Sequence, residues 1–172
     1  MTTPEEEMER HVRADIDRYG WHVAKIEGDD RVPPWAFTIG LGDTFGHPEV
    51  LAAGMQLAQL HALLNRVGDL LRAGNRFEPG QQVHNILEGF ACAFRAVAPC
   101  WHQPFAGNAA WHHRDSGLEL LQCFWPDPEG RFPWDEGFPT DLLPLQPLLY
   151  EEAPERALVP SVRATLEQEG VL

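Results

Sequence analysis

Residues 35–53 read WAFTIGLGDTFGHPEVLAA, and two apolar runs in this stretch decide the fold. The first run, residues 35–41, is rich in aromatic and β-branched side chains, which predicts a β-strand. The second run, residues 50–53, is short and apolar, and we interpret it as the next strand. The glycines within residues 40–46 predict a loop between them. The stretch therefore predicts two consecutive strands joined by a glycine-rich loop.

Helical periodicity is clearest on the C-terminal side of this unit, at residues 56–73. Leucine and valine recur there on one face, and Gly74 stands where a C-terminal cap belongs. A second helix is predicted near the N-terminus, where Thr3 and Glu6 have the spacing of a capping box and Gly20 ends the apolar periodicity. Both helices are therefore expected to pack one face on the core.

Three further strands are predicted from apolar runs at residues 21–26, 90–97 and 118–125. Short helices are predicted at residues 105–113 and 161–169. We expect a single α+β domain, with a mostly antiparallel sheet of about five strands, the long amphipathic helix packed on it and an N-terminal helix. The domain is predicted to span residues 1–140, and the proline-rich residues 141–172 are predicted to form a C-terminal arm.

Composition and charge exclude several classes of protein. The chain has 172 residues, 44% of them hydrophobic, which suits one folded domain with a core. Its net charge of −13 argues against nucleic-acid binding, because phosphate contacts need Lys and Arg. No apolar run approaches the roughly 20 residues of a membrane span, and no signal peptide is recognised, so we expect no membrane partner. Three cysteines without metal-like spacing fit a reducing cytoplasm.

Three common catalytic or cofactor motifs are missing from the sequence. The spacing G-x-G-x-x-x-G in residues 40–46 differs from the dinucleotide fingerprint G-x-G-x-x-G, and no Gly-Lys-Ser/Thr follows it. Neither Ser116 nor Ser161 lies in a G-x-S-x-G elbow, which disfavours a serine hydrolase. Catalytic residues and cofactors therefore stay unassigned from the sequence.

A ligand pocket is one interpretation of the polar and aromatic residues. It would lie between the loop of residues 40–49 and the aromatic-rich residues 101–134, since aromatic rings often line small-molecule pockets. Its candidate ligand-binding residues are Thr38, Asp43, His47 and Glu49 on one wall, with Arg95, Trp111, His112 and Trp134 opposite. In this hypothesis His47 is an acid–base group or ligand contact, and Arg95 holds an anionic group.

A metal site is a further alternative. Its ligands would be His47 and Glu49 with either His112 or His113, because imidazole and carboxylate groups are common zinc ligands. No H-x-x-x-H or H-E-x-x-H pattern is present. Adjacent side chains do not share one face of a helix or a strand, so we expect at most one of the two neighbouring histidines to point into a given site. Packing and hydrogen bonding are the structural alternative for these histidines.

Several motifs, in chain order, are similar to those of one bacterial family. They are GWHV at residues 20–23, FTIGL at 37–41, GHPE at 46–49, RFEPG at 76–80, LQ and WPD within 121–127, and GRFPW at 130–134. Over about residues 19–138 the sequence resembles the family labelled domain of unknown function 4262. The resemblance implies a small, stand-alone, cytoplasmic protein. It carries over no catalytic residue, because none is assigned to the family.

Three functions from different classes are consistent with these observations. The first is a non-enzymatic binding or interaction module that recognises a protein partner, with a homodimer as one case. The second is a small-molecule-binding protein or enzyme that uses the pocket. The third is a metal-binding protein that uses the histidines and Glu49. The acidic charge and the lack of an assembled catalytic motif favour the first.

Overall fold

The computed structural model describes all 172 residues, Met1–Leu172. The strands are β1 (His22–Ile26), β2 (Trp35–Ile39), β3 (Glu49–Ala53), β4 (Gln82–Leu87), β5 (Phe90–Ala96) and β6 (Leu120–Phe124). The helices are α1 (Pro4–Tyr19), α2 (Leu41–Phe45), α3 (Leu57–Arg72), α4 (His102–His112), α5 (Pro154–Ala157) and α6 (Pro160–Gln168), with short 3₁₀ helices at Pro99–Trp101 and Thr140–Leu145. None of the helices combines the length and the apolar character needed to cross a membrane.

The six strands form one sheet in the order β1-β2-β3-β6-β5-β4. Every neighbouring pair is antiparallel except the central pair, β3 and β6, which is parallel. A parallel pair needs a crossover connection, and here the chain between the two strands contains α3, β4, β5 and α4. The predicted α+β class and the mostly antiparallel sheet are confirmed.

The sheet is the middle of three layers. Helix α3 covers one face, where Leu60 and Leu64 are buried in a cluster with Phe94. Helices α1, α4 and α6 cover the other face, where Val12 and Phe37 belong to a second cluster. Because both faces are covered, β2, β3 and β6 are buried along their whole length. This burial explains why these strands are apolar runs rather than alternating patterns.

The clearest sequence patterns are confirmed, with ends that differ by a few residues. The predicted long helix is α3, and the predicted helices at residues 105–113 and 161–169 are α4 and α6. The capping box of α1 is formed. Thr3 Oγ1 accepts from the Glu6 N–H at 3.2 Å, and the Glu6 carboxylate accepts from the Thr3 N–H at 2.9 Å. These two bonds satisfy amide groups that the start of a helix leaves unpaired.

The sequence does not predict strand β4, helix α2, the single-turn helix α5 or the two 3₁₀ helices. Strand β4 adds a sixth strand at the edge of the sheet, and its largely polar sequence, QVHNIL, lacks the apolar run that marks a buried strand. Helix α2 occupies part of the predicted glycine-rich loop. It is bounded by Gly40 and Gly46, whose φ angles of 118° and 64° lie in the left-handed region. The predicted loop therefore contains a short turn of helix between two glycine caps.

The C-terminal residues 141–172 lie on the same core as the rest of the chain. Leu149, Leu158 and Leu166 are buried in one cluster with Phe37 of β2. The sequence left open whether this segment folds back. The predicted arm packs on its own domain and completes the layer that contains α1 and α4.

Gly68 marks a close approach between α3 and the chain before β1. A Cβ at this buried position would overlap the indole ring of Trp21. We expect Gly68→Ala to destabilise the protein by about 1–3 kcal/mol through overpacking, although alanine favours a helix over glycine by about 1 kcal/mol. The matched control is Gly107→Ala, where a Cβ would meet only the Gln103 side chain. Urea unfolding measures both, and an equal effect of the two changes contradicts the prediction.

Candidate functional site

A buried carboxylate lies at the centre of the candidate site. Glu49, the first residue of β3, is only 1% exposed. Its Oε1 accepts from Thr38 Oγ1 at 2.8 Å and from the Leu41 N–H at 3.0 Å. Its Oε2 accepts from the Gly40 N–H at 2.8 Å and from His113 Nε2 at 2.6 Å. Four donors thus satisfy a group that is costly to bury without partners.

Two imidazole–carboxylate pairs lie side by side at the end of α4. The hydrogen bond to Glu49 raises the pKa of His113 above its ordinary value. His112 Nε2 lies 2.9 Å from Asp43 Oδ1, and Arg13 Nη1 lies 3.6 Å from Asp43 Oδ2. The centroids of the two imidazole rings are 4.8 Å apart, and their planes meet at 88°. Each imidazole is therefore oriented by its own carboxylate.

The end of α4 explains how two adjacent histidines reach one site. His112 is the last helical residue, whereas His113 has left the helical conformation, with φ −98° and ψ 19°. We expected at most one of them to point into a given site, because side chains at neighbouring positions of a regular helix diverge. That expectation is wrong here, since the chain turns between the two residues and both line the same cleft.

The cleft in front of these pairs has a volume of about 480 Å³. No hydrophobic side chain lines it. Its ionisable and hydroxyl groups come from Arg13, Asp43, His47, Glu49, His112, His113, Ser116 and Glu119. The Glu119 carboxylate forms no ion pair, whereas Asp43 and Glu49 each pair with an imidazole. The cleft is consequently suited to a polar ligand rather than to an apolar one.

The cleft lies where the two parallel strands begin. Glu49 and Leu120, the first residues of β3 and β6, are register partners, and the Glu49 N–H donates to the Glu119 carbonyl oxygen at 2.9 Å. Helix α2 precedes β3 and helix α4 precedes β6, so the C-terminal ends of both helices lead to the same edge of the sheet. This topology brings Asp43 to His112 across 69 positions of sequence.

His47 lines the cleft, but the backbone engages both of its ring nitrogens. Nδ1 donates to the Pro48 carbonyl oxygen at 2.7 Å, and the neutral ring accepts at Nε2 from the Phe77 N–H at 3.1 Å, with the Phe77 carbonyl oxygen also 3.1 Å from Nε2. These partners assign the ring proton to Nδ1. Burial lowers the pKa of His47 below its ordinary value, which favours the neutral ring. The geometry favours a structural link over the acid–base or metal-ligand role considered from the sequence.

Four other candidate residues do not line the cleft. Thr38 is fully buried and reaches the site only through Glu49. The Arg95 guanidinium packs against two aromatic rings elsewhere, with Cζ 4.1 Å from the centroid of Trp134 and 4.6 Å from that of Tyr150. Trp111 is 58% exposed. The side of the cleft opposite α2 is therefore formed by the imidazoles of His112 and His113, and not by tryptophan side chains or Arg95.

A family model for a domain of unknown function, DUF4262, matches residues 15–139, which is most of the chain. The chain belongs to this family. The resemblance seen in the sequence is thereby confirmed. Both imidazole–carboxylate pairs lie within the matched residues, whereas Arg13 and residues 140–172 of this DUF4262 protein lie outside them. No curated protein and no solved structure matches the chain.

Three lining residues of the DUF4262 cleft were not among the candidates from the sequence: Arg13, Ser116 and Glu119. Arg13 lies on α1, on the polar side of its helical pattern, which does not distinguish it from other solvated arginines. Glu119 lies beside Glu49 only because β6 pairs in parallel with β3. That pairing has no local sequence signal, since α3, β4, β5, a 3₁₀ helix and α4 separate the two strands in the chain.

His47 gives a pH-dependent prediction. We expect His47→Gln to lower the stability of the DUF4262 protein by about 1–3 kcal/mol, because the flexible glutamine amide does not reproduce the positions of the two ring nitrogens that bond the Pro48 and Phe77 backbone. The pKa of His47 is lowered in the folded protein. The unfolded chain therefore binds a proton at this ring below about pH 6.5, whereas the folded chain binds it only at a lower pH. This ring therefore contributes a loss of stability to wild type as the pH falls through this range. The variant lacks this component, so its stability depends less on pH.

Urea unfolding at pH values from 7.5 down to 5.5 tests the prediction, with the exposed His84→Gln as the matched control. The control is expected to follow wild type. A wild-type slope in His47→Gln would show that this ring does not control the acid response.

Proposed function

We propose that this protein binds a small polar ligand that carries positive charge, and that the ligand occupies the cleft in front of His112 and His113. The observation that carries the proposal is the lining: three carboxylates, one arginine and no hydrophobic side chain. A ligand held there would be recognised by charge and hydrogen bonds. This is the small-molecule-binding alternative considered from the sequence, with a different set of lining residues.

The arrangement of the carboxylates supports a cationic ligand. Glu119 has no ion-pair partner, and Asp43 is 29% exposed at its side chain, so both present charge to the cleft. The cleft volume of about 480 Å³ falls within the usual range for small-molecule sites, about 300–1,000 Å³. The rigid orientation of the imidazoles, each held by a carboxylate, lowers the entropy cost of binding.

Native mass spectrometry of protein purified without a metal-affinity tag tests this proposal. We expect the wild-type chain to carry an added mass that Asp43→Asn loses, since the change removes charge from the cleft but keeps the side-chain shape. Asp141→Asn, at an exposed position outside the cleft, is the matched control and keeps the added mass. A bare wild-type chain of 19.4 kDa, or an added mass retained by Asp43→Asn, contradicts the proposal.

A second candidate function is an interaction module in which two copies of the chain associate. The observation that favours it is Trp111, which is 58% exposed, because tryptophan is enriched at the centre of protein interfaces. We expect sedimentation velocity to show self-association that Trp111→Ser abolishes. Met8→Ser, a change at another exposed apolar residue, leaves it intact. A wild-type chain that stays monomeric at high concentration rules this candidate out.

We also propose a cytoplasmic, reducing location. The odd number of cysteines supports it, since disulfide-stabilised proteins pair their cysteines. Cys92 and Cys123 are buried thiols in contact, and their hydrogen bond and burial raise the pKa of Cys123 well above its ordinary value. Such a thiol is unreactive and behaves as a small apolar core residue.

A further inference from the structure

We propose that Asp43, His112 and His113 bind one divalent transition-metal ion of the zinc type. This inference rests on the proposed cation-binding cleft and names its ligand. The three residues come from α2 and from the end of α4, and all three line the same cleft. Each offers one ligand atom, and these atoms lie within 4.8 Å of one another.

The separations are close to those of an assembled site. Zinc lies about 2.0–2.2 Å from imidazole nitrogen and carboxylate oxygen, so two ligands of one tetrahedral ion are about 3.3–3.6 Å apart. His112 Nε2 and Asp43 Oδ1 are 2.9 Å apart, slightly closer than two such ligands. The third ligand atom lies within 4.8 Å of both. Shifts of about an ångström in the partly exposed Asp43 side chain and in His112 would close this gap, with no movement of the sheet or of His113.

The donor set selects the class of ion. Two imidazoles and one carboxylate suit zinc and neighbouring divalent transition metals, whereas magnesium and calcium prefer sites made of oxygen ligands. Three protein ligands are the number found in zinc sites that keep one position for water or a substrate. That position would face the cleft, whose lining also includes the side chains of Ser116 and Glu119.

The partner of His113 supports this assignment. Its Nε2 donates to the buried Glu49, which leaves Nδ1 as the nitrogen available to an ion. Metal-binding histidines commonly donate their other N–H to a carboxylate, which fixes the ring and strengthens it as a ligand. Glu49 is itself held by three further donors and cannot rotate freely. Glu49 is therefore a positioning residue for His113.

A glycine supports the close approach of the two elements. A Cβ at Gly42 would lie only 3.0 Å from His113 Cε1, tighter than nearly all real contacts. The absence of a side chain at this position allows the imidazole to pack over α2 beside Asp43. The two ligand-bearing elements are thus pre-arranged by backbone packing and not by the ligand residues alone.

Isothermal titration of the full chain with zinc chloride tests the inference. The protein is produced without a polyhistidine tag, treated with EDTA and dialysed, and Co²⁺ is used in parallel for its visible absorption bands. We expect one equivalent of zinc to bind, and excess Mg²⁺ not to displace it. Asp43→Asn and His112→Gln are each expected to weaken binding by at least about 10-fold, in line with the loss of a ligand. His84→Gln, at an exposed position outside the cleft, leaves binding unchanged.

Two results overturn the inference: no binding of zinc by wild type, or wild-type affinity in both ligand variants. Asp43→Asn keeps the test valid if His112→Gln does not fold, because the Asp43 side chain is partly exposed. If zinc does not bind but native mass spectrometry finds an organic mass that Asp43→Asn loses, the metal assignment fails and the proposed function stands. If neither binds, both fail together.

Discussion

The four hydrogen bonds to the Glu49 carboxylate join the elements on which the site depends. Thr38 contributes from β2, the Gly40 and Leu41 amides from the start of α2, and His113 from the end of α4. Because the carboxylate is buried, losing one donor costs about 1–3 kcal/mol. A change in any of these elements therefore alters the position of Glu49 and of the His113 imidazole bonded to it, even where the changed residue does not line the cleft.

The position of the site follows from one parallel pair in a mostly antiparallel sheet. In an antiparallel pair the two strands begin at opposite edges of the sheet, so the segments that enter them lie apart. In the parallel pair of β3 and β6, the segments that enter both strands arrive at the same edge. Helix α2 therefore carries Asp43 to the histidines at the end of α4, and the buried Glu49 fixes the junction.

Local patterns predicted the elements well and the site only in part. The leucine stripe of α3 and the capping box of α1 are encoded within a few turns of helix, so periodicity and spacing were sufficient. Strand β4 is polar and lies at the sheet edge, where burial leaves no apolar signature. Asp43, Glu49 and His112 were candidates, but their pairing depends on strand order. Arg95 was also a candidate, but the strand order places its guanidinium against the ring of Trp134 and away from the cleft.

The C-terminal segment and the cleft are separable parts of the molecule. The cleft uses residues from Arg13 to Glu119, and the family match ends at residue 139. Val162 and Leu166 of α6 instead belong to the buried cluster that also contains Val12 and Phe37. The segment thus contributes buried apolar area, worth roughly 25 cal/mol per Å², to the layer that holds α1 and α4 in place. That contribution depends on apolar area and not on particular partners, whereas the Glu49 junction depends on individual backbone and side-chain donors.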